Sequence, residues 1–216
     1  MSYKILLVED HPIVREGVTM LIEKEIDLVV CGEAEDAPEA FSLALKVKPD
    51  LMIVDLDLAS SSGLDLVQQI RESQPETKIL ILSMHDERIY AERALHAGAK
   101  GYLMKSEVSR NVISAIRKIQ DGRLAFSDEV KDRLLMQMNK KPGREGDPIE
   151  GLSNREFQVF QLTGDGFTNQ QIAKHLGVSI KTVYKHVERI KKKLNLHSGH
   201  ELRQQAFRWV VDPDRI

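Results

Sequence analysis

Short apolar runs alternate with helical patterns throughout residues 1–122. Five runs have the length and apolar character of buried strands, and between them apolar residues recur every three to four positions. The runs cover residues 4–8, 28–32, 51–54, 78–82 and 101–104. Strands that alternate with helices in this way form a parallel sheet with helices on both faces. The alternation therefore predicts an α/β fold with a doubly wound, five-stranded parallel sheet.

The formal charge of the chain, −2 overall, is divided unevenly along its length. Residues 1–122 carry 14 Lys and Arg against 21 Asp and Glu, a charge of −7, and residues 123–150 are balanced at 6 against 6. Residues 151–211 carry 10 basic against 4 acidic residues, a charge of +6, and the remaining five residues add −1. Such asymmetry indicates an acidic module joined to a nucleic-acid binder.

The composition is that of a globular protein without a membrane or secretory segment. With 42% hydrophobic and 30% charged residues, a chain of 216 residues can bury one or two cores. The N-terminal sequence MSYKILLVED passes from an apolar run to acids without a small-residue cleavage site, which predicts a strand rather than a signal peptide. We therefore expect a cytoplasmic location. The single Cys31 excludes an internal disulfide and is expected in the core.

The ends of the predicted strands carry several acids and one lysine. The first strand ends in Glu9 and Asp10, the third in Asp55, the fourth in Ser83 and the fifth in Lys105. In open α/β sheets the carboxyl ends of the strands form the working edge, so these side chains should converge there. Crowded carboxylates favour a bound cation, and their hard oxygen ligands suit Mg²⁺.

This set of residues predicts chemistry on a phosphoryl group. Asp55 would be the nucleophile, as in aspartyl-phosphate formation. Mg²⁺ and the ammonium of Lys105 would neutralise the transferring group, and Ser83 would donate a hydrogen bond to one of its oxygens. His11 and His85 are near the acids in sequence, but we expect a helix-start and a loop histidine rather than a transition-metal site.

The motifs VED, IVDLDL, LS and GYLMK resemble the receiver domain of two-component response regulators across residues 3 to about 122. The resemblance implies phosphoryl transfer from the phosphohistidine of a sensor histidine kinase to Asp55, with Mg²⁺ as cofactor. It implies that Asp10, Asp55 and the carbonyl of Asp57 hold the metal, with Glu9 near it. A domain of this kind accepts and slowly loses a phosphoryl group, and it is not a turnover enzyme.

Ser83 and Tyr102 match the switch pair of the receiver family, in which the hydroxyl turns toward the phosphoryl group as the aromatic ring turns inward. Three features depart from the usual pattern. Ala59 and the run 60–62 replace Met-Pro and predict a looser loop beside the acceptor, Met84 stands where a small residue is common, and Ser106 replaces a proline. These departures bear on the rate and lifetime of phosphorylation.

Residues 123–150 change character and are predicted to be a linker. Ser127 is expected to cap a short helix through Met138, with Leu134, Leu135 and Met138 as a weak apolar stripe. The following NKKPGREGDP is polar, charged and rich in Gly and Pro. We therefore expect a receiver in residues 1–122 and an output domain in residues 151–216.

The output domain is predicted to contain a helix-turn-helix. Ser153 and Glu156 have the spacing of a capping box before an apolar stripe. A second helix is expected from residue 168 or 169, and Gly177 marks its end. Ser179 then caps a third helix whose apolar residues lie on one side. Two helices joined by a short turn match the geometry that places the second helix in the major groove.

The sequences LSNREFQVFQL and GFTNQQIAKHLGVSIKTVYKHVERIKKKL resemble the LuxR-type output domain, and a receiver in front of it resembles the NarL/FixJ class of transcription regulators. The resemblance implies double-stranded DNA as a partner and a homodimer on that DNA. The base-facing positions match Tyr184, Lys185 and Glu188. Phosphate contacts or packing are expected of Lys181, Thr182, His186, Arg189 and Lys193.

Several alternatives stay open. The last helix, residues 201–211, resembles the dimerisation helix of the LuxR-type family, with Trp209 either at that interface or in the core. The spacing of Asp55 and Asp57 also occurs in haloacid-dehalogenase-type phosphatases, although those enzymes place it after the first strand. A regulator that acts by protein contacts alone is a third possibility. Phosphorylation could act by unmasking the basic domain, which the acidic receiver attracts, or by driving dimerisation.

Overall fold

The computed structural model describes residues 2–58, 61–138, 148–149 and 151–211. The chain divides into two compact units, Met1–Lys140 and Lys141–Ile216. No helix among the described residues has both the length and the apolar character needed to cross a membrane. Each unit has its own core and is described by itself.

The first unit is built on a five-stranded parallel sheet, as the sequence predicted. The strands are β1 (Tyr3–Val8), β2 (Leu28–Ala34), β3 (Leu51–Asp55), β6 (Lys78–Ser83) and β7 (Gly101–Met104), in the order β2-β1-β3-β6-β7. Two short strands, β4 (Asp57–Leu58) and β5 (Ser61–Ser62), pair antiparallel beside the end of β3. The central β3 is buried along its whole length, because helices cover both faces of a doubly wound sheet.

Four helices connect these strands, α1 (Pro12–Ile22), α2 (Ala37–Val47), α3 (Gly63–Ser73) and α4 (Glu87–Ala97), and α5 (Val108–Gln120) follows the last strand. Pro12 begins α1, as predicted from its missing N–H. One face of the sheet packs with α1 and α5 in a core that includes Ile5, Ile53 and Ile116. Since neighbouring side chains alternate in direction, residues such as Leu6 and Met52 lie on the other face, toward α2, α3 and α4.

The register of the strands aligns their carboxyl ends along one edge of the sheet. Val8 lies beside Val54, Asp55 beside Leu82, and Ser83 beside Met104. The residues that follow each strand therefore emerge side by side. The predicted core position of Cys31 is wrong, because this residue is half-buried on the edge strand β2, which has a neighbour on one side alone.

Part of the predicted linker packs on the first unit. Ala125 forms a parallel bridge with Gly101 of β7, and Ser127 accepts a hydrogen bond from the amide of Val130 at the start of α6 (Asp128–Met138). The predicted cap is thus confirmed. Leu135, from the expected apolar stripe, is 58% exposed. The side chains of Leu134 and Met138, the loop residues Ala59 and Ser60, and residues 139–147 lie outside the described residues.

The second unit consists of α7 (Asn154–Gly164), α8 (Asn169–His175), α9 (Ile180–Lys193) and α10 (Gly199–Val211). The predicted capping box of Ser153 and Glu156 is confirmed at the start of α7. Gly177 has a φ of 63° in the turn between α8 and α9, a conformation that costs glycine least. Trp209 lies in the core, edge-on to Phe157 at 5.2 Å between ring centroids. Of the two predicted positions for Trp209, the core is the one that the structure shows.

Candidate functional site: an acidic pocket and a basic helix

Three charged side chains meet at the carboxyl edge of the sheet. The ammonium Nζ of Lys105 lies 2.8 Å from Asp55 Oδ2 and 2.8 Å from Glu9 Oε1. All three side chains are at least nine-tenths buried. Lys105 reaches the pocket because β7 ends directly before it, and the 3₁₀ turn Lys105–Glu107 follows. A buried carboxylate requires such a partner, since an unpaired charge in this place is costly.

The electrostatics of the pocket favour a reactive Asp55. Burial, reinforced by the charge of Glu9, raises the pKa of Asp55 to about 6, although Lys105 opposes the shift. Burial alone would lower the pKa of Lys105, but the charge of Asp55 and the hydrogen bonds to both carboxylates outweigh it and raise this pKa. Near neutral pH the pocket therefore holds an ionised Asp55 carboxylate beside a protonated Lys105 ammonium.

Four side chains in this pocket offer ligand atoms to a metal ion. One atom each from Glu9, Asp10, His11 and Asp55 lies within 4.8 Å of the others. Carboxylate oxygens are the ligands that Mg²⁺ prefers, so the donor set fits that ion. His11 Nδ1 lies 2.7 Å from Asp10 Oδ1. His11 lies outside the metal ligands predicted from the sequence, although its position directly after Glu9 and Asp10 was a signal.

Asp57 directs its side chain away from the acid cluster. Its Oδ2 lies 2.7 Å from His85 Nε2, while its backbone N–H donates to Asp55 Oδ1 at 3.2 Å. The expected metal ligand from this residue is its carbonyl, and the side-chain pair with His85 leaves that role to the backbone. The ring of His85 also stacks on Tyr90, with centroids 4.9 Å apart. The sequence predicted His85 only as a loop residue because its ion-pair partner Asp57 is distant in the chain.

Ser83 and Tyr102, the predicted switch pair, lie together beside the pocket. Ser83 is fully buried, and its Oγ accepts the backbone N–H of His85 at 3.0 Å. The Tyr102 hydroxyl donates to the carbonyl of His85 at 3.0 Å, so the ring points inward. Burial raises the pKa of Tyr102, with a hydrogen bond to Ser83 acting in the opposite direction. Met84, which follows Ser83, is largely exposed.

Gly63 is a site residue that the sequence analysis did not assign. A Cβ at this position would lie 2.1 Å from the backbone oxygen of Asp55. Any side chain would therefore push β3 and α3 apart. The signal was a glycine at the start of a helix, directly after a serine run.

Helix α9 presents most of the predicted DNA-binding residues to solvent. Its apolar side, formed by Val183, Val187 and Ile190, is buried. Tyr184 is 51% exposed on the opposite side. The other exposed residues of the predicted set are Lys181, Lys185, Glu188, Arg189 and, at the end of the helix, Lys193. A helix with one apolar and one basic side is suited to lie in a DNA groove.

Thr182, His186 and Lys193 have contacts or burial within the unit. Thr182 Oγ1 lies 2.9 Å from the Oγ of Ser179, the residue that caps α9. Lys193 Nζ donates to Glu156 Oε2 at 2.7 Å and to the carbonyl of Gly151 at 2.9 Å. His186 is half-buried, and its burial lowers its pKa. Lys193 therefore has a packing partner, one of the two roles expected for it.

Arg155 was not assigned from the sequence either. Its Nη2 donates to the carbonyl of Leu176, at the turn between α8 and α9, and its Nη1 donates to Gln158. Glu156, the next residue, holds Lys193 near the end of α9. The first turn of α7 thus contacts the α8–α9 helix-turn-helix at two points.

Comparisons with known proteins cover nearly the whole chain. Residues 5–117 match the response regulator receiver domain, and residues 150–206 match the bacterial regulatory proteins of the luxR family. The oxygen regulatory protein NreC of Staphylococcus carnosus (strain TM300) is 36% identical over 210 residues, which cover 95% of this chain and 97% of that relative. NreC of Staphylococcus epidermidis (strain ATCC 12228 / FDA PCI 1200) is 37% identical over 211 residues, with the same coverage.

Solved structures give the same result. A LuxR-family two-component response regulator from Aurantimonas sp. SI85-9A1 is 37% identical with a TM-score of 0.58, covering 64% of this chain and 99% of that one. RcsB from Salmonella enterica serovar Typhimurium, bound to promoter rprA with the phosphomimetic BeF₃⁻, is 25% identical with a TM-score of 0.61 over 94% of this chain and 98% of its own. The chain is therefore a two-component response regulator, with a receiver domain followed by a LuxR-type DNA-binding domain.

Proposed function

We propose that Asp55 accepts a phosphoryl group from a sensor histidine kinase, and that its phosphorylation controls the binding of the output domain to specific DNA. The observation that carries the proposal is the contact of Lys105 with both Asp55 and Glu9 in a buried acidic pocket. A lysine in this place neutralises charge on a transferring phosphoryl group. A purely structural ion pair would not require a third carboxylate, Asp10, in the same cluster.

In the transfer step an oxygen of the Asp55 carboxylate attacks phosphorus. A P–O bond forms, and the P–N bond of the kinase phosphohistidine breaks, so that the imidazole leaves and takes up a proton. Ser83 would donate its hydroxyl to a phosphoryl oxygen, and Lys105 would move its ammonium toward another. Lys105 already contacts Asp55 before the reaction, so its ammonium needs little reorganisation.

Mg²⁺ fits this pocket as the cofactor. Asp10, Asp55 and the carbonyl of Asp57 would hold it, with Glu9 beside them. When bound, the ion supplies positive charge that offsets the negative charge of the phosphoryl oxygens. Glu9 would then have two cationic neighbours, because Lys105 already contacts it.

The basic side of α9 is proposed to lie in the major groove of double-stranded DNA. Tyr184, Lys185 and Glu188 would face base edges, and Lys181 and Arg189 would contact phosphates. RcsB has been solved as dimers bound to DNA. We extend this arrangement to the present chain as a homodimer whose two α9 helices contact half-sites about one helical turn apart, roughly 34 Å. The regulator would act in the cytoplasm.

Intact mass measurement after treatment with a small-molecule phosphodonor and Mg²⁺ tests the acceptor. Wild type should gain one phosphoryl group, whereas Asp55→Asn should gain none. The matched control is Asp57→Asn, which should still be labelled because the proposed ligand is the backbone carbonyl. Asp10→Asn and added chelator should each abolish labelling. A full adduct on Asp55→Asn would refute the assignment of the acceptor.

Two further readouts separate the alternatives. The phosphodonor should raise the affinity of wild type, but not of Asp55→Asn, for DNA selected from genomic fragments. Steady hydrolysis of a phosphomonoester over many turnovers would instead favour a phosphatase. Absence of DNA binding in both phosphorylation states would favour a regulator that acts through protein contacts.

A further inference from the structure

Residues 125–133, which the sequence predicts as linker, lie against the open edge of the sheet. The N–H of Ala125 donates to the carbonyl of Lys100 at 2.8 Å, and the N–H of Tyr102 donates to the carbonyl of Ala125 at 3.1 Å. Ala125 and Phe126 are buried. A Cβ on Gly101 would lie 2.7 Å from the Cβ of Ala125. The glycine in β7 therefore leaves room for this segment, which we call the docked linker.

The docked linker also contacts the start of α4. The N–H of Ser127 donates to Glu87 Oε1 at 2.8 Å, and Arg133 Nη2 donates to the carbonyl of Arg88 at 2.5 Å. Val130, between these two residues, is buried. Both hydrogen bonds involve a charged group, and such bonds are about twice as strong as neutral ones. The first turn of α4 thus holds the docked linker at two points.

The start of α4 is joined to the acceptor pocket by a short chain of hydrogen bonds. Ser83 Oγ accepts the N–H of His85, whose carbonyl accepts the Tyr102 hydroxyl. Asp86, the next residue, caps α4. Tyr102 therefore contacts both the loop before α4 and the docked linker, because its hydroxyl donates to His85 and its backbone N–H donates to Ala125.

We propose that Glu87 and Arg133 are positioning residues that couple phosphorylation of Asp55 to release of the docked linker. The inference rests on the proposed function, since it takes Asp55 as the acceptor. A phosphoryl group draws the Ser83 hydroxyl toward Asp55, and the loop that carries His85 follows. Glu87 and the carbonyl of Arg88 then leave their linker partners. A ligand shifts an equilibrium between two states only when the contacts differ between those states. In this proposal the contacts that differ are the hydrogen bonds of Ser127 with Glu87 and of Arg133 with the carbonyl of Arg88.

Release has a direct consequence for the output domain, because the docked linker is the part of the chain that leads to it. While residues 125–133 are held on the receiver, they are not part of the tether between the two units. Release lengthens that tether and widens the range of positions open to the helix-turn-helix.

The coupling must be reciprocal. If the phosphorylated state weakens docking, a variant with weakened docking binds a phosphoryl analogue more tightly. The full-length protein is therefore titrated with BeF₃⁻ in saturating Mg²⁺, and its affinity is measured by calorimetry. Arg133→Met and Glu87→Ala should each bind BeF₃⁻ about fivefold more tightly than wild type, the lower end of typical coupling factors. Arg133→Lys, which retains a charged donor, should lie between Arg133→Met and wild type.

Asp132→Asn is the matched control, because it changes a charge on the exposed side of α6 next to Arg133. It should leave the affinity for BeF₃⁻ unchanged. A role of Arg133 in stability alone would lower the melting temperature without changing this affinity. Unchanged or weaker binding in both Arg133→Met and Glu87→Ala would overturn the inference, while absence of BeF₃⁻ binding to wild type would overturn the proposed function with it.

Hydrogen exchange gives a second, independent readout in the wild-type chain. The amides of Ala125 and Ser127 donate to Lys100 and Glu87, so release must expose both. BeF₃⁻ with Mg²⁺ should accelerate their exchange by at least about fivefold, and Arg133→Met should show fast exchange without the analogue. Equal or slower exchange in wild type with BeF₃⁻ bound would show that phosphorylation does not release the linker.

Discussion

The fold buries the carboxyl group of Asp55 where its ionised form is disfavoured. It is 1% exposed, and Glu9 lies in the same buried pocket. Burial and that second carboxylate raise its pKa from 3.8 to about 6. Lys105 reduces this effect without cancelling it, so the pocket contains more negative than positive charge. A bound cation would relieve this excess of negative charge.

The raised pKa of Asp55 predicts how the stability of the metal-free receiver depends on pH. The folded state binds this proton more tightly than the unfolded state, so its contribution to stability is present below pH 3.8 and is lost as pH rises through about 6. We expect wild type to lose stability relative to Asp55→Asn across this window, by about 1–3 kcal/mol. Denaturant unfolding of both proteins in chelator measures the difference, and Mg²⁺ should reduce it in wild type. A constant difference between the two proteins from pH 4 to 7 would contradict the prediction.

Lys193 shows that position on a basic helix does not decide the role of a lysine. Lys181 is exposed near the start of α9, whereas Lys193 at its end contacts the buried carboxylate of Glu156. Burial would raise the pKa of Glu156, but hydrogen bonds from Lys193 and the Ser153 backbone outweigh it, so this pKa is lowered. The pair therefore joins α9 to α7.

The two lysines should differ in the salt dependence of DNA binding. Each phosphate contact contributes about 0.9 to the slope of log affinity against log salt. Lys181→Gln should reduce that slope by about 1. Lys193→Gln should leave the slope unchanged but lower the stability of the output domain by about 1–3 kcal/mol, because it leaves Glu156 buried without its partner. Titrations of a mixed-sequence duplex at several salt concentrations distinguish them, and an equal loss of slope in both variants would assign Lys193 to DNA.

At the scale of elements, close backbone packing determines how α7 and α10 meet. A Cβ on Gly164 would lie 2.5 Å from the carbonyl oxygen of Ala206 and 2.7 Å from Val210. Trp209 of the same helix packs on Phe157 and Phe160. The glycine therefore allows α10 to approach closely enough for the aromatic ring to enter the core.

Gly164→Ala should destabilise the output domain by about 1–3 kcal/mol, the usual range for an overpacked core. Gly199→Ala is the matched control, since a Cβ at Gly199 at the start of α10 has nothing within 4 Å. It should be neutral or slightly stabilising, because alanine restricts the unfolded chain. The fluorescence of Trp209, the single tryptophan, reports unfolding of this unit. Equal stability of the two variants would show that α7 and α10 can separate at little cost.

At the scale of the whole molecule, the two functions are divided between units of opposite charge. The acidic pocket lies in a segment with a formal charge of −7, and the helix-turn-helix lies in one with +6. The net charge of −2 therefore does not indicate how strongly this protein attracts DNA. Long-range attraction of DNA to the basic unit is opposed by the field of the acidic unit, whatever their arrangement.

A fragment of residues 147–216 should bind a mixed-sequence duplex more tightly than the unphosphorylated full-length protein. The fragment lacks the acidic receiver, and the affinity of both should fall steeply with salt. The comparison is made at matched salt by fluorescence anisotropy, with Lys185→Ala in the fragment as a variant that should bind more weakly. If fragment and full-length protein bind equally, the receiver does not restrain DNA binding, and phosphorylation must act by dimerisation.

The sequence by itself determined the features that depend on neighbouring residues. The alternation of apolar patterns predicted the order of strands and helices along the chain. Because the carboxyl ends of parallel strands lie at one edge of the sheet, the sequence also predicted that Asp55, Glu9 and Lys105 lie close together. Caps were equally accessible, because Ser127, Ser153 and Ser179 act on amides three residues away. The receiver and LuxR-type motifs consist of such local patterns, so the sequence alone indicated both families.

Only the tertiary structure decided the contacts between distant parts of the chain. Lys193 and Glu156 are separated by 37 positions, and Arg133 and Arg88 by 45. No periodicity relates such pairs, since their meeting depends on how whole elements pack. The same reason placed Trp209 in the core, turned Asp57 toward His85 and docked residues that composition assigned to a linker. Short-range patterns in the chain specify the elements, whereas burial and charge pairing between the assembled elements specify what each side chain does.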